Sequence, residues 1–234
     1  MEYLPANLQY AATLIFGANA KLYGIVSLSL MVSLLATTIA CIVGMPLGAL
    51  LAVGRFTGRR SLIVLFNGLM GLPPVVVGLL VYLLLSRSGP LGAMGWLFTP
   101  EAMVIAQAIL VMPIVAALTR QAIADAWLEY REQLRSLGAS RPYAAATLLW
   151  DGRFSLTTAA LAGFGRAIAE VGAVMIVGGN IDGVTRVMTT TIALETSKGD
   201  LPLALALGMV LIVMVLAVNT VAYLLRGWAE RRWG

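Results

Sequence analysis

The stretch EYREQLRSLGASRPYAAATLLW, residues 129–150, decides the fold of this chain, because it is charged and helix-forming yet lies between very apolar segments. A stretch with this many charges is costly to place in the hydrocarbon of a bilayer, so it must lie outside a membrane that its neighbours cross. We therefore expect an all-α, polytopic membrane bundle in which residues 129–150 are accessible to another protein.

The overall composition supports a membrane protein. The 234 residues are 60% hydrophobic and 12% charged, whereas soluble globular domains are roughly 45–50% apolar and about 25% charged. The formal charge of +5 does not indicate nucleic acid, because the basic residues lie in loops between apolar spans, where membrane orientation explains them. With no histidine and only Cys41 as a thiol, we expect no catalytic residues, no metal site and no intrachain disulfide.

Five segments are long and apolar enough to cross the roughly 30 Å of hydrocarbon in a bilayer. They are residues 22–53, 61–85, 102–119, 154–177 and 203–225. We predict a transmembrane domain over residues 22–226 and a cytoplasmic tail over 227–234. Residues 1–21 are expected to form an N-terminal interfacial segment, with an additional span as the alternative, because polar residues interrupt their apolar run.

The basic residues predict the orientation of these spans. If the loops 54–60 and 120–153 and residues 226–234 are cytoplasmic, eleven arginines lie on that side and four basic residues on the other. This distribution follows the positive-inside rule. We predict a multi-pass protein with its N-terminus outside and its C-terminus in the cytoplasm.

Residues 129–150, called the elbow below, are predicted to form a helix, a sharp turn and a second helix. Gly138 is suited to end the first helix, because glycine adopts positive φ without a Cβ penalty. Ser140 is expected to cap the second helix through its hydroxyl, with Pro142 in the first turn. Three leucines are expected to face a partner: Leu128, Leu134 and Leu137. The residues alone leave an ordinary connecting loop open as an alternative.

The spacing of Glu132, Gly138, Ala139 and Ser140 resembles the cytoplasmic EAA loop by which permease subunits of bacterial ABC importers dock on their ATPase. That family pattern has a Glu-Ala-Ala triplet, a glycine four residues after the triplet, and a terminal aliphatic residue followed by Leu-Pro. Glu132 and Gly138 match it and Leu148 supplies the aliphatic residue, but Trp150 and Asp151 replace Leu-Pro. The resemblance implies an ATPase-coupling loop, formed by Glu132, Gly138, Ala139, Ser140 and Arg141.

A second resemblance covers residues 22–226, most of the chain. Residues 163–200, with the elements Gly-Arg-Ala, Glu-Val-Gly-Ala and Gly-Gly-Asn-Ile, are similar to permeases of oxyanion importers for tungstate and molybdate, as are GMPLGALLA (44–52) and GLPPVVVGL (71–79). The likeness implies a homodimer in the bacterial inner membrane that imports tungstate, or next molybdate, with a separate ABC ATPase and an external oxyanion-binding protein. ATP and Mg would bind the ATPase, and this chain would bind no cofactor. The sequence has no Walker A motif, which agrees with that division of labour.

Four residues are candidates for the translocation pathway. Pro73 and Pro74 interrupt the second span. Because they lack N–H groups, carbonyls of the preceding turn lose their partners and must be satisfied by protein or by a water-lined cavity. Arg166 and Glu170 are four residues apart, which would place both on one helical face. They are expected either to form an internal salt bridge that fixes this helix, or to attract the passing anion while limiting its retention.

The loop between Gly178 and Pro202 is the largest on the predicted outer side. It contains candidate contacts for an external binding protein: Asn180, Asp182, Arg186 and Glu195. Residues 188–196 are predicted to form a short helix. Thr189, Thr190 and Thr191 could donate hydrogen bonds to an oxyanion, but we do not expect a specific ligand site here, because surface loops are polar in any case.

Two other classes of protein are alternatives. A secondary transporter of small anions would need coupling-ion residues within the spans and often shows repeat symmetry; Arg166 and Glu170 are the candidates, and no repeat is visible. A membrane-embedded enzyme would need a catalytic set in the bilayer, and the sequence offers no histidine and no intramembrane aspartate pair for one.

Overall fold

The described part of the chain is helical, as predicted. The structure is a computed structural model that describes the backbone of residues 20–233. In chain order, the helices are α1 (Ala20–Val53), α2 (Arg59–Leu69), α3 (Pro74–Leu85), α4 (Pro100–Ser136), α5 (Arg141–Asp151), α6 (Arg153–Ile168), α7 (Gly172–Gly178), α8 (Met188–Lys198) and α9 (Leu201–Trp233). A short 3-10 helix, Gly92–Met94, lies between α3 and α4. The predicted interfacial segment 1–21 lies outside the described residues, except for its last two, which begin α1.

Between three and five membrane spans are present among residues 20–233. Three helical stretches are each long and apolar enough to cross a bilayer: Leu22–Val53, Pro100–Ser136 and Leu201–Leu224. Two helix pairs, α2 with α3 and α6 with α7, are sharply bent at a short break, and each pair qualifies when taken as one span. Counting both pairs gives five spans, which agrees with the sequence prediction.

Two of the long helices continue through a proline. Gly44, Met45 and Pro46 permit either a kink or an extended helix, and the structure has a single 34-residue helix with Pro46 inside it. Likewise α4 is one 37-residue helix that contains Pro113. At 1.5 Å per residue it is about 55 Å long. The predicted third span and the first helix of the elbow are therefore parts of one element.

The chain divides into two compact units. The first comprises the chain up to Leu34, Pro74–Ala106 and Ile168–Val221. Within it α3 packs closely on α7, since a Cβ added to Gly78 would lie 2.8 Å from Ala173 Cα. The loop before α4 joins the same cluster, because the amide of Phe98 donates to the carbonyl of Val177 at 3.0 Å. Helices α3 and α7 therefore approach through small residues, as helices in membranes commonly do.

The second unit comprises Leu35–Pro73, Gln107–Ala167 and the chain from Ala222 onward. One of its cores is formed by Ala40 of α1, Val111 and Val115 of α4 and Ala167 of α6. Glycines allow the close contacts: a Cβ on Gly48 would lie 2.4 Å from the carbonyl oxygen of Ala116. Parts of three predicted spans are thus packed tightly against one another, and this unit carries the elbow.

Candidate functional site

Gly138 ends the first helix of the elbow as predicted. Its φ is +71°, a conformation that costs other L-residues about 1–2 kcal/mol. The amide of Gly138 donates to Arg135 O and the amide of Ala139 donates to Leu134 O, both at 3.0 Å. These two bonds form a Schellman motif, which satisfies carbonyls at the helix end. The turn is therefore fixed by backbone hydrogen bonds together with the conformational freedom of one glycine.

Ser140 occupies the N-cap of α5, but the predicted capping bond from its hydroxyl is absent. An N-cap side chain accepts from the amide of the second or third helical residue. The second is Pro142, which has no N–H group, and Tyr143 is the remaining donor. The prediction was right about the position and wrong about the hydrogen bond. Pro142 leaves Tyr143 as the one candidate donor, and that bond does not form.

Arginine side chains tie the elbow to the end of α1. Arg141 Nη1 donates to the carbonyl oxygen of Arg55 at 3.1 Å. Arg59 donates to the carbonyls of Leu51 and Ala52, at 2.7 and 3.1 Å. The last carbonyls of a helix have no partners within that helix. These contacts therefore complete the end of α1 and hold the loop after it beside the elbow.

A buried apolar cluster joins the second elbow helix to two spans. Ala144, Ala145 and Leu148 of α5 are buried together with residues of α1 and α4, among them Val53 and Ile123. Leu148 is the residue that matched the aliphatic position of the family pattern. Leu134, which we expected to face a partner, instead packs against this cluster. A displacement of α5 would therefore be felt directly by α1 and α4.

Several large side chains of the elbow are not covered by the chain. Leu137, Tyr143 and Trp150 are 75%, 66% and 73% exposed, and the side chain of Glu132 is 87% exposed. Leu128 is exposed too, as predicted. Exposed apolar and aromatic side chains next to charged ones are typical of surfaces that bind other proteins.

The helix break around Glu170 differs from the prediction. Helix α6 ends at Ile168, so Arg166 and Glu170 do not share a helical face. Arg166 lies in the last turn of α6 and is half-buried. Glu170 is buried beyond the helix end, where its Oε1 accepts a hydrogen bond from the amide of Ala173 at 3.1 Å. The reason is the break itself: its unpaired amides need acceptors, and the Glu170 carboxylate supplies one for the start of α7.

Two polar residues support the same stretch of chain, and of these Gln107 was not predicted. In the second unit, Gln107 Nε2 donates to Ala167 O at 3.0 Å. In the first unit, Thr189 Oγ1 donates to Glu170 O at 2.8 Å. A helix break in a membrane frees carbonyls that must be paired inside the protein. Gln107 is a polar side chain within the apolar run 102–119, and this position could have indicated that it pairs with a polar group inside the protein.

The other predicted break lies at Met70–Pro73. Pro74 begins α3, while Pro73 lies in the connection after α2 and is exposed. Beside this connection, a Cβ on Gly172 would lie 2.9 Å from the side chain of Val75. The interruption of the second predicted span is therefore confirmed, and α3 starts against α7 in the first unit.

The candidate contact residues on the predicted outer side fall into two groups. Arg186 Nη1 pairs with Asp182 Oδ1 at 3.1 Å, and Arg186 Nη2 donates to Asn180 O at 3.4 Å. Glu195 is buried and pairs with Lys198 at 2.9 Å. Arg186 and Glu195 both line a cavity of about 110 Å³. The structure thus brings all four residues to one region, with Asp182 at its surface and Glu195 inside.

The threonines of the same region have structural partners. Residues 188–198 form helix α8, which confirms the short helix predicted there. Thr190 and Thr191 are buried and donate to the carbonyl of Val187, at 3.0 and 2.7 Å. Since Thr189 also donates to a backbone carbonyl, these hydroxyls stabilise the protein.

A polytopic helical bundle with a helix-turn-helix elbow agrees with a membrane transport subunit, and comparison with protein families shows the class. Residues 44–234 match the model of the family described as binding-protein-dependent transport system inner membrane component. The chain belongs to this family. It is a multi-pass transport subunit of the inner membrane, and neither the secondary-transporter nor the enzyme alternative agrees with that membership.

Individual relatives cover nearly the whole chain. The tungstate uptake system permease protein TupB of Peptoclostridium acidaminophilum is 42% identical over 97% of this chain and 99% of its own length. A protein with the same description from Campylobacter jejuni is 34% identical over 97% of this chain and 95% of its own. A probable anion ABC transporter permease protein of Haloferax volcanii is 39% identical over 85% of this chain and 88% of its own.

Proposed function

We propose that this chain is the permease subunit of an ATP-driven ABC importer for tungstate, with molybdate as the second candidate. The observation that carries the proposal is the 42% identity to a tungstate uptake permease over 97% of the chain. A putative molybdenum permease of Bacillus subtilis is 30% identical over 77% of the chain, so substrate choice is the finer part of the proposal. Uptake of labelled tungstate by the reconstituted importer, competed with molybdate and with sulfate, tests it. Stronger competition by sulfate than by molybdate would overturn the assignment.

The proposed partners act at opposite faces of the membrane. A separate ABC ATPase, which holds ATP and Mg in its own sites, docks on the exposed side chains Leu137, Tyr143 and Trp150, beside Glu132. An external oxyanion-binding protein delivers the substrate to the region of Asn180, Asp182 and Arg186. Glu195 is buried, so it acts there by holding Lys198 and not by direct contact. The N-terminus lies outside and the C-terminus in the cytoplasm.

Two copies of the chain line one pathway, and nucleotide-driven closure of two ATPase subunits moves the two elbows together. The elbow is suited to pass on this movement because α5 is packed on α1 and α4 through Leu148, Val53 and Ile123. The first elbow helix is the end of α4 itself. Such rigid-body motion is a common way to switch access between the two sides of a membrane protein.

The coupling role is tested by two substitutions of Gly138. A Cβ at this position meets no atom of the described chain within 4 Å, so a side chain here would project toward a partner. Gly138→Arg should lower co-purification of the ATPase and separate ATP hydrolysis from tungstate uptake. Gly138→Asn is the matched control, because asparagine tolerates positive φ and is small. Normal uptake by the Gly138→Arg variant would refute the coupling role of the elbow.

Arg166 is proposed to attract the anion during its passage. Its place at the end of α6 next to a helix break supports this role, because intramembrane charges usually serve a pathway or a partner. Arg166→Ala should reduce uptake more than it reduces assembly with the ATPase, whereas Arg166→Lys should retain part of the uptake. Equal loss of uptake and assembly in Arg166→Ala would instead assign Arg166 a purely structural role.

A further inference from the structure

An open groove in the second unit runs between α1 and α6, and its volume is about 500 Å³. Its lining includes Ile42, Met45 and Pro46 of α1, and Leu156 and Ala160 of α6. The hydroxyl of Thr157, which also lines the groove, is turned to its own helix and donates to Arg153 O at 3.3 Å. The wall of the groove is therefore almost wholly apolar, and its size falls within the usual range of ligand pockets, about 300–1,000 Å³.

Arg153 carries the one charge among the described residues that line this groove. Its guanidinium carbon lies 5.0 Å from the ring centre of Trp150 and 4.4 Å from that of Phe154. Nη1 also donates to the carbonyl of Trp150 at 2.8 Å. Stacking on two rings holds the cation in place and leaves further N–H donors on the guanidinium. No salt bridge within residues 20–233 neutralises it.

We propose that the groove binds an anionic phospholipid, with an acyl chain along α1 and α6 and the headgroup phosphate on Arg153. The lipid and the groove are complementary. The apolar wall suits the acyl chain, and the fixed cation of Arg153, the first residue of α6, suits the anionic headgroup. Arg153 directly follows the elbow, which lies outside the membrane, so the cation is at headgroup depth. Arginine pairs well with phosphate through two parallel hydrogen bonds.

An anionic lipid fits the groove better than an apolar helix from a second copy does. A helix that covered the groove would remove Arg153 from water and would have to supply a carboxylate at that point. A phospholipid supplies the apolar tail and the counterion in one molecule. Basic residues near a membrane surface each contribute about 1 kcal/mol to binding anionic lipid, which corresponds to about a fivefold preference.

The test is native mass spectrometry of the full-length chain, exchanged from detergent into phosphatidylglycerol or phosphatidylcholine with identical acyl chains. Wild type should retain phosphatidylglycerol about fivefold better than phosphatidylcholine. Arg153→Gln should lose this preference, and Arg153→Lys should keep most of it. Arg60→Gln, which removes an exposed arginine of α2, is the matched control and should behave as wild type. Ala160→Trp should reduce retention of both lipids by filling the groove.

Three outcomes would overturn the proposal. Equal retention of the two lipids by wild type would exclude recognition of the headgroup charge. A preference that persists in Arg153→Gln, or is lost in Arg60→Gln as well, would exclude Arg153 as the specific site. A change of oligomeric state in Ala160→Trp, without any bound lipid in wild type, would assign the groove to a second copy of the chain.

Discussion

Small residues set the distance between helices in the second unit. Gly44 and Gly48 of α1 face the backbone of α4, and Gly163 of α6 faces Val111 and Val115. In lipid, helices gain little from burying apolar surface against each other, so close van der Waals packing is what stabilises their contacts. The two glycines of the GMPLGALLA segment therefore matter for packing as much as for any bend.

The substitution Gly48→Ala should destabilise the protein, because its Cβ would lie 2.4 Å from Ala116 O, a backbone atom that cannot move alone. Overpacking of this kind typically costs about 1–3 kcal/mol. Gly208→Ala in α9 is the control, since a Cβ there meets nothing within 4 Å. The thermal unfolding midpoint in detergent measures both variants. Equal unfolding midpoints for Gly48→Ala and Gly208→Ala would show that α1 and α4 can move apart without loss of stability.

At the scale of the element, the break between α6 and α7 is held by hydrogen bonds from distant parts of the chain. Thr189→Val should leave the carbonyl of Glu170 without the bond it now accepts at 2.8 Å. Loss of a partner for a buried polar group costs about 1–3 kcal/mol.

Thr196→Val is the matched control for this prediction. Its hydroxyl is exposed and bonds only to Ile192 O within α8. A fall in the unfolding midpoint confined to Thr189→Val would support the role of the break, and equal shifts would assign the effect to loss of helix propensity or volume alone.

The elements that local sequence determines were predicted well, and those set by distant contacts were not. The helix end at Gly138 could be predicted because it depends only on neighbouring residues, a charged helix-forming run followed directly by glycine. The end of α6 at Ile168 could not, because the pairing of Ala167 O depends on Gln107, 60 residues away. The sequence already showed that Pro142 leaves the Ser140 hydroxyl one candidate donor, but it did not show that this capping bond would be absent.

At the scale of the whole molecule, the predicted orientation can be checked with single cysteines. Cys41 is the one native thiol, so a Cys41→Ala background permits specific labelling. Ser197→Cys on α8 should react in intact cells with a maleimide that does not cross membranes. Leu137→Cys in the elbow should react only after the membrane is opened. Both positions are exposed in the chain, so in cells that express it without its partner proteins a lack of labelling would reflect the side of the membrane. The reverse pattern would invert the topology.

The continuity of α4 has a consequence for the spacing of the chain. Because a single helix joins the span to the elbow, each added residue between them would rotate the elbow by about 100° around the helix axis. An insertion of seven residues would nearly restore the original angle, to within about 20°, but would move the elbow outward by about 10 Å. Any related chain that keeps this helix unbroken must therefore keep its length. No insertion or deletion restores both the rotation of the elbow about the helix axis and its distance from the span.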